Sequence, residues 1–146
     1  MKKFILSLVV LSFSIVAMSA VQAPEVKNKE YTDKEGNIVR ISIIDKIDIH
    51  DKVSDEDAPK LILYTVYNNL LKKYPDLQTL EKKKVDDQYI MLLKVEKEGQ
   101  QTMTAGYMSY LKNDKIVTIG YIMPSTEGND VEKIESNLID VRANLE

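Results

Sequence analysis

Across residues 88–123, apolar side chains return at every second position in three separate stretches. Tyr89, Met91, Leu93 and Val95 alternate with Ile90, Leu92 and Lys94. A turn at Glu98-Gly99 leads into 103–111, and a turn at Asn113-Asp114 leads into 116–123. A period of two is the mark of strands, so this region predicts a β-meander. Taking Asn113-Asp114 as a two-residue hairpin loop sets Gly106 opposite Tyr121 and Gly120 opposite Tyr107. Each glycine then faces an aromatic ring that covers its bare backbone. The same alternation sorts two faces. One holds Met91, Leu93, Val95, Met108, Tyr110, Val117, Ile119, Tyr121 and Met123 and reads as core. The other holds Ile90, Leu92, Met103, Ala105, Leu111, Ile116 and Ile122, mixed with Lys94, Ser109 and Thr118. That second face is apolar enough to require cover.

A helical period appears twice. Leu63, Val66, Tyr67, Leu70 and Tyr74 recur at three- and four-residue steps. Asp55 or Asp57 can cap this helix, Pro59 suits its first turn, and Pro75 ends it behind Lys72 and Lys73. Near the C-terminus, Asn129 with Glu132 forms a capping-box pattern ahead of Val131, Ile134, Leu138, Val141 and Leu145. Upstream, residues 30–32 and 38–44 flank a Gly36-Asn37 turn and read as a hairpin. Residues 77–85 fit an edge strand protected by Lys82, Lys83 and Lys84, or a short helix. The predicted fold is therefore α+β, a single antiparallel sheet of about five to six strands in the order ββαββββα with two helices.

Ahead of this domain, Lys2 and Lys3 precede an apolar run over residues 4–17, and the small residues Ser19, Ala20 and Ala23 follow. That is the layout of a secretory signal peptide, and the run is short for a membrane span. Cleavage fits before Ala20 or after Ala23. The expected organisation is a signal peptide at 1–23, a tether at 24–28 and one domain at 29–146, periplasmic or secreted. An uncleaved N-terminal anchor is the alternative. With no cysteine in the chain, neither a disulfide framework nor a lipidated cysteine is available. Removing Lys2 and Lys3 leaves about 18 basic residues against 23 acidic ones, a net charge near −5. Such acidity disfavours nucleic acid and anionic lipid as partners.

The element order, and the run from Tyr110 to Leu145 in which a meander ends in a polar turn before a C-terminal helix, resembles the PsbP-like family, including small periplasmic DcrB-type proteins. The resemblance spans roughly 29–146, rests on no diagnostic motif and carries over no functional residue. It implies an envelope or accessory role without catalysis. Cystatin-like and NTF2-like folds use similar parts in other orders.

Candidate chemistry is sparse. His50 is the only histidine, and no serine or carboxylate spacing around it makes a triad. With Asp48 and Asp51 it forms the one weak metal candidate. The carboxylates of the acidic loop 45–57 lack the alternating spacing and central glycine of a calcium loop, and they suit the N-terminus of the following helix. No cofactor is expected. The leading expectation is an exported, non-enzymatic binding or accessory domain with an unknown protein or a small apolar ligand as partner. A homodimer is a further option, and no stable membrane insertion is expected after processing. Its working surface would be Tyr64, which lies off the main helical stripe, with Ile90, Leu92, Met103, Leu111, Ile116 and Ile122. The rival reading is a hydrolase or weak calcium binder using the acidic loop. If the two helices share one sheet face, the other face is open; if they take opposite faces, the sandwich is closed.

Overall fold

In the computed structural model, residues 26–46, 53–96 and 98–145 are described. The strands are β1 (Val26–Thr32), β2 (Ile38–Asp45), β3 (Gln78–Val85), β4 (Gln88–Val95), β5 (Met103–Lys112) and β6 (Lys115–Pro124). The helices are α1 (Asp57–Lys73), between β2 and β3, and α2 (Asp130–Leu145), after β6. All six strands form one antiparallel sheet in the order β1-β2-β6-β5-β4-β3. The expected α+β class and element order are those observed.

Local chemistry explains most of these boundaries. Asn113 and Asp114 both take positive φ, 52° and 60°. This is the type I′ geometry of a two-residue hairpin, and its twist matches that of the flanking strands. It fixes the β5–β6 register at Gly106↔Tyr121 and Tyr107↔Gly120, as the loop reading required. The β1–β2 turn is built on Asp33, whose Oδ1 accepts from the backbone N–H groups of Glu35 and Asn37, each at 2.9 Å. Gly36, at φ 83°, supplies the left-handed position. Residues 26–28, read from sequence as tether, already belong to β1, because Lys27 and Asn28 pair with Ile43 and Ser42.

Residues 78–85 are a strand and not a helix. Alternation governs because β4 offers a ladder, while the bulge between Thr79 and Glu81 and the lysines blunt this outer edge. At the start of α1 the capping expectation needs correction. Ser54 does the work: its Oγ donates to Asp57 Oδ2 at 2.8 Å and accepts from Asp57 N at 3.2 Å. Neither Asp55 nor Asp57 is the cap. Asn129 does open α2, accepting from the N–H of Lys133 through its carbonyl and of Glu132 through its side chain.

The two helices lie on opposite faces of the sheet, so the layers run α/β/α. Under α1, Ile62, Val66 and Leu70 meet Ile38, Met91, Leu93, Tyr107, Ile116 and Ile122. Under α2, Ile134 and Leu138 meet Val39, Ile41, Leu92, Met108, Tyr110, Ile119 and Tyr121. The face assignment read from sequence is right for β5 and β6 and inverted for β4. Met91, Leu93 and Val95 share the α1 face with Met103 and Ile122, whereas Ile90 and Leu92 share the α2 face with Met108. The cause is register. The ladder pairs Ile90 with Met108 and Leu92 with Gly106. That is one step away from what a two-residue Glu98-Gly99 loop would impose, and one step exchanges the faces.

Gly106 marks where α2 sits down. A Cβ there would lie 2.2 Å from Ile134 Cγ2, 2.8 Å from Leu92 Cδ2 and 3.0 Å from Leu138 Cδ1. The glycine is thus a seat for the helix as well as the partner of Tyr121. Only Ile134 and Leu138 of α2 are buried, and Leu145, expected in the stripe, is 41% exposed. Side-chain ties at the rim complete the docking. Lys133 Nζ pairs with Glu35 at 2.8 Å, and Lys83 Nζ with Glu135 at 2.7 Å.

The C-terminal tie is the most elaborate of these. Arg142 donates through two nitrogens to the two oxygens of Asp87, each at 2.9 Å, and to Gln88 Oε1 at 2.5 Å. Its guanidinium lies 3.8 Å from the centroid of the Tyr110 ring. The Arg142 hydrogen bonds hold the Asp87 carboxyl below its usual range, against a smaller opposing effect of burial. Arg142→Lys is expected to lower stability by about 1 kcal/mol, since a point charge cannot keep the fork and the stacking together. Urea unfolding of the two proteins measures this, and equal midpoints would show the clamp to be idle.

Candidate functional site: a tyrosine-lined cleft beside the basic edge strand

The closed sandwich removes the working surface expected from sequence. Ile90, Leu92, Met103, Ile116 and Ile122 are all buried, at 2% exposure or less, and Leu111 is partly buried against the α1 core. They are core residues because each face received its own helix. The basis for an open apolar groove or a sheet-to-sheet homodimer goes with them. Tyr64 alone of that set stands out, 57% exposed.

Tyr64 belongs to a cleft between α1 and the outer strand β3. Along α1, Lys60, Tyr64 and Tyr67 fall at i, i+4 and i+7, so one flank of the helix presents all three. Across from them, Lys82 and Lys84 lie two apart on β3 and stand on the α1 side, paired with Met91 and Tyr89 of β4. Leu63 and Met91 form the floor. The cleft encloses about 260 Å³, and Lys60, Tyr64, Tyr67, Lys82, Lys84 and Tyr89 are among its walls. A second, acidic hollow continues past Lys84 and Tyr89, lined by Asp55, Glu56, Asp86 and Asp87.

The three neighbouring lysines have different surroundings. Lys83 points to the α2 side and pairs with Glu135 and with Glu81, at 3.3 Å. Its ammonium is held above the usual range first by the Glu135 hydrogen bond. Lys84 pairs with Glu56 at 2.5 Å, which likewise raises its pKa, and lies 5.5 Å from the Tyr89 ring centre. Lys82 sits over rings instead, 4.2 Å from the centroid of Tyr67 and 5.8 Å from that of Tyr64. From sequence, this lysine run reads as edge protection, and of these tyrosines only Tyr64 is singled out for a working surface. The period-two and period-3.6 patterns hold the relevant positions, but the approach of α1 to β3 is a tertiary fact.

The metal candidates Asp48, His50 and Asp51 lie outside the described residues. Of the acidic loop's described members, Asp55 pairs with Lys46, Glu56 with Lys84, and Asp57 with Ser54. Among the described residues no three His, Cys, Asp or Glu side chains stand close enough to hold a metal ion. Among them, too, no helix is long and apolar enough to cross a membrane.

At the opposite end of the sheet, Tyr121 is buried with its hydroxyl donating to Asp33 Oδ2 and accepting from Asn37 Nδ2 at 3.0 Å. Burial and the Asp33 carboxylate both push the Tyr121 phenol far above its ordinary range. Burial acts to raise the Asp33 carboxyl, but the donors from Tyr121, Asn37 and Glu35 outweigh it and keep the group below its usual value. This cluster ties the first hairpin to β6 and is spent on structure.

No family model and no curated protein matches the sequence. Similar solved structures include PA94 of Pseudomonas aeruginosa, a protein of unknown function, at 11% identity and TM-score 0.48, covering 83% of this chain and 81% of that one. The Ran-binding protein Mog1p of Saccharomyces cerevisiae is 14% identical at TM-score 0.46, over 76% of this chain and 67% of its own. LpqN of Mycobacterium tuberculosis, involved in cell envelope biogenesis, is 8% identical at TM-score 0.41, over 80% of each chain. What this chain has in common with them is a small α+β domain, and none of these comparisons places it in the PsbP-like family.

Proposed function

We propose that the protein is an exported, non-enzymatic binding or accessory domain, and that the tyrosine-lined cleft between α1 and β3 is its working surface. One observation carries this reading: Tyr64 exposes more than half of its surface at the mouth of a cleft walled by Tyr67, Tyr89 and the lysines Lys60, Lys82 and Lys84. Tyrosine supplies a large contact area at low entropic cost, which suits recognition. Export rests on the basic, apolar and small-residue succession of residues 1–23.

Capture from an envelope extract tests the surface. A component retained by the wild type should be lost with Tyr64→Ser and kept with Leu61→Ser, which alters an exposed apolar residue elsewhere on α1. Equal retention by both variants would sink the assignment. Export has its own readout. The protein recovered outside the cytoplasm should begin near residues 20–24, and an intact Met1 terminus there would refute processing.

A further inference from the structure

We propose that this cleft takes a small amphiphilic anion, a single carboxylate or phosphate head on an apolar body. The inference rests on the reading of the cleft as the working surface and adds the chemistry of its ligand.

The wall of the cleft supplies the apolar half of the recognition. Leu63 and Met91 close the floor, both buried, and the rings of Tyr64, Tyr67 and Tyr89 stand around it. The cleft is about half open to solvent, and its volume of about 260 Å³ admits the body of a small molecule.

The charged half is Lys82. Its ammonium is held by the faces of Tyr67 and Tyr64, and no carboxylate pairs with it among the described residues. A ring face orients a cation through its quadrupole but carries no net charge, so the positive charge stays available to a further anion. Lys83 and Lys84 contrast with it, since Glu135, Glu81 and Glu56 already neutralise them. Lys60 adds a second cation from the helix side. A neutral apolar guest would make no use of this exposed cation, and a bare anion would leave the exposed ring of Tyr64 uncovered. An amphiphilic anion satisfies both.

The body can be aliphatic or aromatic, and the probes separate the two. Amide chemical shifts of the labelled protein, as purified from the expressing cell, are followed during titration with octanoate, phenyl phosphate, octanol and inorganic phosphate. Octanoate or phenyl phosphate should shift Tyr64, Tyr67, Lys82 and Tyr89, and the tighter of the two identifies the body. Octanol, which lacks the charged head, should bind about tenfold more weakly, the worth of one hydrogen bond to a charged group. Inorganic phosphate, which lacks the apolar body, should also bind about tenfold more weakly, the worth of about two buried methylene groups. Lys82→Gln should weaken the anion about tenfold and leave octanol unchanged, with Lys60→Gln as an independent variant on the opposite wall. Octanol binding as tightly as octanoate would overturn the inference and leave the cleft as the working surface. Absence of shifts in the cleft with all four probes would overturn it as well, and Tyr64-dependent capture then judges the surface separately.

Discussion

Gly106→Ala is expected to cost about 2–3 kcal/mol of stability, although alanine suits a strand better than glycine. The sign follows from distance. The new methyl would sit 2.2 Å from Ile134 Cγ2 and 2.8 Å from Leu92 Cδ2, so α2 must lift or its side chains must leave their rotamers. Ile134 and Leu138 are the buried residues of α2, so the clash falls on the helix's main apolar anchors, while the rim ties of Lys133, Glu135 and Arg142 resist its lifting. A double-mutant cycle isolates the cause. Ile134→Ala alone should cost about 2–4 kcal/mol by emptying its site. Combined with Gly106→Ala, the loss should fall short of the sum by at least about 1 kcal/mol, because the two changes offset each other in volume. Strict additivity in denaturant titrations would show that Gly106 is not the seat of the helix.

Asp33→Ala is the second large effect, expected at about 2–3 kcal/mol. The substitution removes the acceptor for two turn N–H groups and leaves the buried Tyr121 hydroxyl without its carboxylate. It also carries a pH signature. The folded Asp33 carboxyl lies below its ordinary value, so its contribution is complete above the unfolded value of about 3.9. It is then lost as pH falls through the folded value. Asp87, held down by Arg142, and Asp130, held down by hydrogen bonds from Thr126 and Thr104 against burial, act in the same direction. Wild-type stability should therefore decline below about pH 4, and Tyr121→Phe should make that decline shallower by removing one of the donors that depress Asp33. Thermal unfolding from pH 2.5 to 7 measures both slopes, and identical acid limbs would remove the proposed coupling.

These two sites also show how far the sequence could be read. The Asn113-Asp114 loop demanded one register, and that register placed Gly106 against Tyr121 without any tertiary information. A glycine opposite an aromatic ring was legible as sheet architecture. That a helix rests on the same glycine was not, because Ile134 is 28 positions away and its angle of approach is set by packing. The Asp33 turn was legible through Gly36, whereas its bond to Tyr121 joins strands far apart in the chain.

The candidate site divides in the same way. Tyr64 was separable from the core by its position off the apolar stripe, and it is the one member of the expected surface that is exposed. Ile90 and Leu92 were placed on the wrong face because the observed β4–β5 register lies one step from that of a two-residue Glu98-Gly99 loop, and a single step inverts a strand. Lys82 could not be told from Lys83 and Lys84 in a run of three. Alternation sends Lys83 to one face and its neighbours to the other, and α1 then brings Tyr67 within 4.2 Å of Lys82 while Glu56 reaches Lys84.

Local rules thus determined the two helices and every strand but β3, which pairing with β4 decided, because turn chemistry and hydrophobic period act over a few residues. Tertiary structure alone decided that the helices take opposite faces. A helix chooses its face by the crossover that carries it across the sheet and by where the strands leave room for it. That choice buried the apolar residues expected to form a surface. The gap it left between α1 and the edge strand holds Tyr64, Tyr67, Tyr89 and Lys82.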